Sequence, residues 1–230
     1  MCDIHSLANN FRPVAPPQLV ADAYTEDQYQ RLTRVVQENG PWQLILAENF
    51  ETPEEVFATT SAAGHALPEG VELTWDMLLT NPVFRGYLAR QGVCFYPELE
   101  DCYYNSRFLE LVRGYWGARY AEPETFLFNL QGPGPIGGPP HLDGTVVRGR
   151  TMADTPLGLW LTMAKSCLFR RWQAKKGQVI TWYYKGRIGG GFNCWPEGPN
   201  GAPMQIQAPM WGRAVVVENE MMFHHGQACG

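Results

Sequence analysis

The sequence has little charge and few histidines: 18% of its 230 residues are Asp, Glu, Lys or Arg, and only five are His. It lacks any run near the ~18 consecutive apolar residues that a spanning helix needs, so no membrane partner is expected. Basic excess is also missing. The chain has 18 Lys and Arg against 23 Asp and Glu, a formal net charge of −5. That balance argues against a nucleic-acid partner, whose contact surface is basic. The one basic run, Arg170-Arg171-Trp172-Gln173-Ala174-Lys175-Lys176, reads as a solvated turn. No positive segment followed by an apolar core opens the chain, so no signal peptide is expected. The six cysteines, at positions 2, 94, 102, 167, 194 and 229, form no C-x-x-C and no regular spacing. This suggests neither a zinc ribbon nor a disulfide framework, and makes a reducing, cytoplasmic setting the default. Cys2 and His5 are spaced C-x-x-H without a second pair and read as terminal residues without a metal. Nothing repeats internally, and oligomeric state has no signature.

What the sequence does have is aromatic, glycine and proline residues: 13% Phe, Trp and Tyr, with 24 Gly and 18 Pro. The aromatic content excludes a disordered chain, and so much Gly and Pro excludes a helical bundle. Residues 1–20 read as an extended tail and residues 21–118 as a helical extension. Thr25 followed by Gln28 is a capping box, and Gly40-Pro41 stops that helix. Thr52-Pro53 opens a second helix, and Asn81-Pro82 a third running toward Ala89. Residues 91–96 suggest a short strand and 101–115 a further helix. Beyond residue 119 strands dominate, with candidates at 125–130, 144–150, 157–166, 178–184, 204–208, 213–218 and 221–225. Turn clusters rich in Gly and Pro separate them. Short strands so divided predict a mainly β, α+β chain. Its expected core, 119–230, is a jelly roll (a cupin-like double-stranded β-helix) with the N-terminal helices packed on one sheet.

His141-Leu142-Asp143 carries the chemistry. On an extended chain, residues i and i+2 point the same way, so imidazole and carboxylate can converge on one ion. A second His, at 224 or 225, ends a late strand. Two His and one carboxylate on one face of a metal form the donor set of non-haem Fe(II) oxygenases. A cupin-like metal-binding module without catalysis has the same donors, since such sites accept several metals.

Three pieces together resemble the Fe(II)- and 2-oxoglutarate-dependent dioxygenases, nearest their phytanoyl-CoA dioxygenase-like branch: Pro140-His141-Leu142-Asp143, Leu157-Gly158-Leu159-Trp160-Leu161-Thr162-Met163, and Ala214-Val215-Val216-Val217-Glu218-Asn219 leading to His224-His225-Gly226. The resemblance covers about residues 90–230. It implies iron held by His141, Asp143 and His224, with 2-oxoglutarate and O2 as co-substrates. It also implies hydroxylation of a small-molecule substrate with release of succinate and CO2. His224 is preferred over His225 because family members place a turn Asn or Asp five residues before the ligand, here Asn219, and an apolar residue just before it, here Phe223. The presence of Asp143 favours hydroxylation over halogenation. Trp160 matches a Trp near the co-substrate in related enzymes but also reads as a core residue, and Asn129, on the strand before the Gly/Pro loop, reads either as a strand-end turn residue or as a hydrogen-bond partner of a co-substrate oxygen. The family's Arg for the far carboxylate of 2-oxoglutarate should lie beyond the second His. No Arg follows His224, so the chain is expected to lack its last strand; alternatively Lys165 or Arg150 serves instead. Trp182, Tyr183, Tyr184, Phe192 and Trp195 read either as core or as a wall and lid around Gly189-Gly190-Gly191, with Lys185 and Arg187 available to an anionic substrate. His65 reads as a loop residue.

Overall fold

A computed structural model describes residues 7–60, 70–75, 83–134, 137–186 and 188–229. Cys2, His5, His65, Asn81, Pro82 and Arg187 lie outside them. Among the described residues the chain is α+β, with three antiparallel sheets, none of them closed. Among the described residues, no helix is long and apolar enough to cross a membrane.

The first sheet has strand order β1 (Gln18–Val20), β9 (Ala214–Val217), β6 (Gln178–Thr181). β1 belongs to the segment expected as a tail. It pairs with β9 in the register Gln18↔Val216 to Val20↔Ala214. β9 is buried along its whole length. Side chains alternate across a strand, and here each face meets its own core. Ala214 and Val216 pack with Tyr29, Leu32 and Leu88, whereas Val215 and Val217 pack with Phe192, Met210 and Met222.

The first core is supplied by helix α1 (Glu26–Glu38). Its Thr25–Gln28 capping box forms as expected: the Thr25 hydroxyl accepts from the Gln28 amide, and the Gln28 side chain accepts from the Thr25 amide. Such a cap contributes about 1 kcal/mol. Tyr29, Leu32 and Val35 make the buried stripe. Two short helices follow, α2 (Ile45–Asn49) and α3 (Pro53–Thr60), the latter starting at Pro53 as the sequence predicts.

The expected helix toward Ala89 is instead strand β3 (Val83–Arg90). It anchors the second sheet, pairing with β2 (Gln43–Leu44), β4 (Val93–Cys94) and β5 (Phe126–Gln131). Strand pairing therefore crosses residue 118. The physical reason lies at Gly86, opposite Phe128 in the β3–β5 register. The missing Cβ leaves room for the Trp42 and Phe128 rings, which meet edge to face at 4.8 Å. The helix expected at 101–115 is two helices, α4 (Glu100–Tyr103) and α5 (Ser106–Trp116), because the Asn105 side chain accepts from the Phe108 amide and starts the second one. α5 ends at Gly117 in the left-handed conformation, φ 59°, which favours glycine.

The third sheet has order β10 (Phe223–Gly226), β7 (Phe192–Trp195), β8 (Met204–Ile206). Two strands expected for a jelly roll are absent. Residues 144–150 make only single bridges, at Val147. Leu157–Lys165 is helix α6 rather than a strand, with only Trp160 and Ala164 buried. Cys94, Cys102, Cys194 and Cys229 are free thiols, while Cys167 is disulfide-bonded, which the irregular cysteine spacing does not suggest.

Candidate metal centre

His141, Asp143 and His224 come together where the first and third sheets meet. One ligand atom from each lies within 4.8 Å of the others, the one such cluster among the described residues. Backbone pairing creates the approach. His141 adds one bridge to β10: its amide donates to the His224 carbonyl at 3.0 Å, and the His224 amide returns a bond to the His141 carbonyl at 3.1 Å. Two residues on, the Asp143 amide donates to the Asn219 carbonyl at 3.1 Å, in the turn between β9 and β10.

The ring nitrogens are then sorted by their neighbours. His141 Nδ1 faces the Pro139 carbonyl at 2.8 Å, and His224 Nδ1 faces the Met222 carbonyl at 3.0 Å. A carbonyl only accepts, so each Nδ1 carries the hydrogen and each neutral ring presents its Nε2 lone pair. Those Nε2 atoms lie 3.6 Å and 3.5 Å from the same atom, Asp143 Oδ1. The other oxygen, Oδ2, accepts from Gln178 Nε2 at 2.7 Å; Gln178 Oε1 in turn accepts from Asn219 Nδ2 at 2.5 Å. An Asn219–Gln178 relay thus holds one carboxylate oxygen and leaves the other to face the imidazoles. Outer partners of this kind orient metal ligands and raise their affinity.

Electrostatics follow from this packing. Burial works to raise the Asp143 carboxyl, but His141, His224 and Gln178 outweigh it and hold the group well below the usual carboxylate range. The Asp143 carboxylate raises the pKa of His141 against the cost of burial. Burial lowers that of His224. The donor set of two imidazoles and one carboxylate fits a divalent ion of the iron or zinc type.

The remaining expected residues fall around this cluster. Phe192 packs against the His224 ring, centroids 5.6 Å apart. His225 faces away from the cluster: its Nε2 meets Asn193 Nδ2 at 3.1 Å and its ring stacks on Trp195. Trp160 does not join the donors. It is buried under the turn after Asp143 and donates its indole N–H to the Thr145 carbonyl at 3.3 Å. Lys165 sits behind the site, donating to the carbonyls of Asp143 at 3.0 Å and Glu220 at 3.2 Å. Arg150 is exposed. Asn129 is on β5, and its Oδ1 accepts from Arg85 Nε at 3.0 Å. Gly189-Gly190-Gly191 is tied to the last residues of the chain, Gly190 N–H donating to the Ala228 carbonyl and Gln227 N–H to the Gly191 carbonyl. Lys185 lies over Trp211, 4.0 Å from its ring centroid.

Arg85 is the residue that sequence reasoning misses. It lies opposite Asn129 in the β3–β5 register and 3.7 Å from Glu48. The only sequence signal for it is Asn129, which shares its place in the sheet. No family model, no curated protein and no solved structure matches the chain.

Proposed function

We propose that this protein is a non-haem Fe(II)- and 2-oxoglutarate-dependent oxygenase that hydroxylates a small-molecule substrate and releases succinate and CO2. One observation carries the reading: two imidazole Nε2 atoms and one carboxylate oxygen converge while both Nδ1 atoms are tied to main-chain carbonyls. Iron bound there with 2-oxoglutarate and O2 would supply the oxidising chemistry; the protein supplies orientation and shielding. His141, Asp143 and His224 would hold the ion. Gln178 and Asn219 fix Asp143, and Phe192 covers the His224 ring. Arg85, bonded to Asn129 and paired with Glu48, would exchange the Glu48 partner for the far carboxylate of 2-oxoglutarate, a role that suits a guanidinium fork. Lys165 is less suited, because its ammonium is turned to two backbone carbonyls.

The second reading, a metal-binding module without catalysis, is favoured by the open sheets, which do not close into a barrel around the site. Succinate formation separates the two. Incubated with Fe(II), ascorbate and 2-oxoglutarate, the wild type should release succinate slowly even without its true substrate. Asp143→Ala should remove that turnover, and Arg85→Met should raise the 2-oxoglutarate concentration it requires. Stoichiometric Fe(II) binding without any succinate would favour the module.

A further inference from the structure

Residues 144–176 leave the sheets and return to them, starting just after Asp143 and ending just before Gln178. Their stem is a short backbone pairing. The Arg148 amide donates to the Trp172 carbonyl at 3.1 Å, and the Ala174 amide to the Val146 carbonyl at 2.8 Å. Beyond the stem lie α6 and the 3-10 turn Arg170–Trp172.

Charge sets this excursion apart. It carries seven Lys and Arg and a single acid, Asp154, in a chain whose net charge is −5. Arg148, Arg150, Arg170, Arg171 and Lys175 are exposed. Arg148 and Arg171 both lie over the Trp172 ring, 5.2 Å and 4.0 Å from its centroid. Neither these two nor Arg150 has an ion-pair partner among the described residues.

The surface of α6 is the second peculiarity. Leu157, Leu159 and Leu161 are 40%, 54% and 44% exposed. With 3.6 residues per turn, the outward arc runs Leu157, Leu161, Lys165, Gly158, Thr162, Leu159, with leucines at both edges and a single cation between them. That cation, Lys165, is the one ionisable side chain of the helix and is bonded to the Asp143 and Glu220 carbonyls. Helix α1 shows the ordinary arrangement, with Glu26, Asp27, Gln30 and Arg34 outermost. Leu168 and Met152, on the same excursion, are 62% and 41% exposed.

We propose that residues 144–176 dock the protein on membranes containing anionic phospholipid, the α6 leucines entering the headgroup–acyl boundary and the arginines meeting lipid phosphates. Charge complementarity selects this occupant. Each Lys or Arg near an anionic leaflet contributes about 1 kcal/mol, and apolar side chains beside basic ones are the chemistry of helices that lie in the membrane interface. A solvated turn accounts for the arginines but not for three exposed leucines along a helix arc whose one cation is bonded to backbone carbonyls. The expectation of no membrane partner came from the absence of a spanning run, and peripheral docking needs none. The proposal stands independently of the metal centre.

Sedimentation with vesicles tests it. The wild type should pellet with equimolar phosphatidylcholine–phosphatidylserine vesicles and bind pure phosphatidylcholine at least about tenfold more weakly, with salt weakening the binding further. Arg148→Glu combined with Arg171→Glu should lower partitioning by about tenfold or more. Leu159→Ser combined with Leu161→Ser should lower it as well. All four substitutions are at exposed positions, so circular dichroism should show an unchanged fold. No binding to either vesicle, equal binding to both, or partitioning unchanged in both variants would overturn the proposal. Retention of a single-stranded oligonucleotide in place of vesicles would also overturn it and assign the basic face to nucleic acid.

Discussion

His141 and His224 exchange both of their backbone hydrogen bonds, and across that pair their rings lie 4.4 Å apart at centroid. The neighbouring His225 points to the other side of β10, toward Asn193 and Trp195. Removing one imidazole should therefore matter far more than removing the other. His224→Ala is expected to abolish the thermal stabilisation that Fe(II) or Zn(II) gives the wild type, whereas His225→Ala should keep most of it. Differential scanning fluorimetry with and without metal reads both. The reverse order would mean that the opposite face of β10 carries the ligand.

Gln178 touches no ion directly, yet it determines which Asp143 oxygen is free. Gln178→Met preserves length and removes both hydrogen bonds of the relay. Metal affinity should fall roughly 10- to 100-fold, the usual cost of losing an outer partner of a ligand. Isothermal titration measures this, and an unchanged circular dichroism spectrum separates it from unfolding.

Glu220 gives the fold a pH dependence with a definite sign. Burial raises its pKa from the ordinary 4.5 to about 7, and neither carboxylate oxygen has a hydrogen-bond partner. The folded state thus holds this proton more tightly than the unfolded chain does. The stability so gained is fully present below pH 4.5 and lost as pH rises to about 7. The loss is of the order of 3 kcal/mol. Glu220→Gln should match the wild type at the acidic end and melt higher above neutrality. Chelated protein, unfolded thermally across that range, is the sample to use. A wild-type curve parallel to that of the variant would count against the assignment.

Gly86 is a packing prediction. A Cβ there would run into Phe128 and Trp42 on the face of β3. Gly86→Ala should cost about 1–3 kcal/mol, the range for overfilling a packed site, read as a shift of the urea midpoint. An unchanged midpoint would mean that the two rings can give way.

Sequence reasoning is most informative where local chemistry decides the structure. The Thr25–Gln28 box, Pro53 at a helix start and the apolar strands β5, β6 and β9 all depend on near neighbours. It fails where two periods coincide. Leu157, Leu159 and Leu161 alternate as in a strand, yet on α6 they are spread around an outward helical arc. Val83-Phe84 and Tyr87-Leu88 have helical spacing, but β5 and the ring pair over Gly86 draw that segment into a sheet. The H-x-D spacing and a late His suffice to bring the three donors together on paper. Arg85 and Gln178 are not legible in this way. Their contacts, Asn129 at 44 residues and Asp143 at 35 residues along the chain, come from sheet register, which no local pattern encodes.

The double burial of β9 bears on how the molecule opens. A strand that walls two cores cannot be released without disrupting both, so the halves on either side should melt in one step. The Val215, Val216 and Val217 amides should be among the last to exchange with deuterium, because only global unfolding frees such positions. The donors inherit this anchorage, since Asn219 leaves β9 directly and Gln178 opens the strand paired to it. Residues 144–176 share the same anchorage, because Lys165 donates to the Asp143 and Glu220 carbonyls and Arg170 to the Asn10 carbonyl.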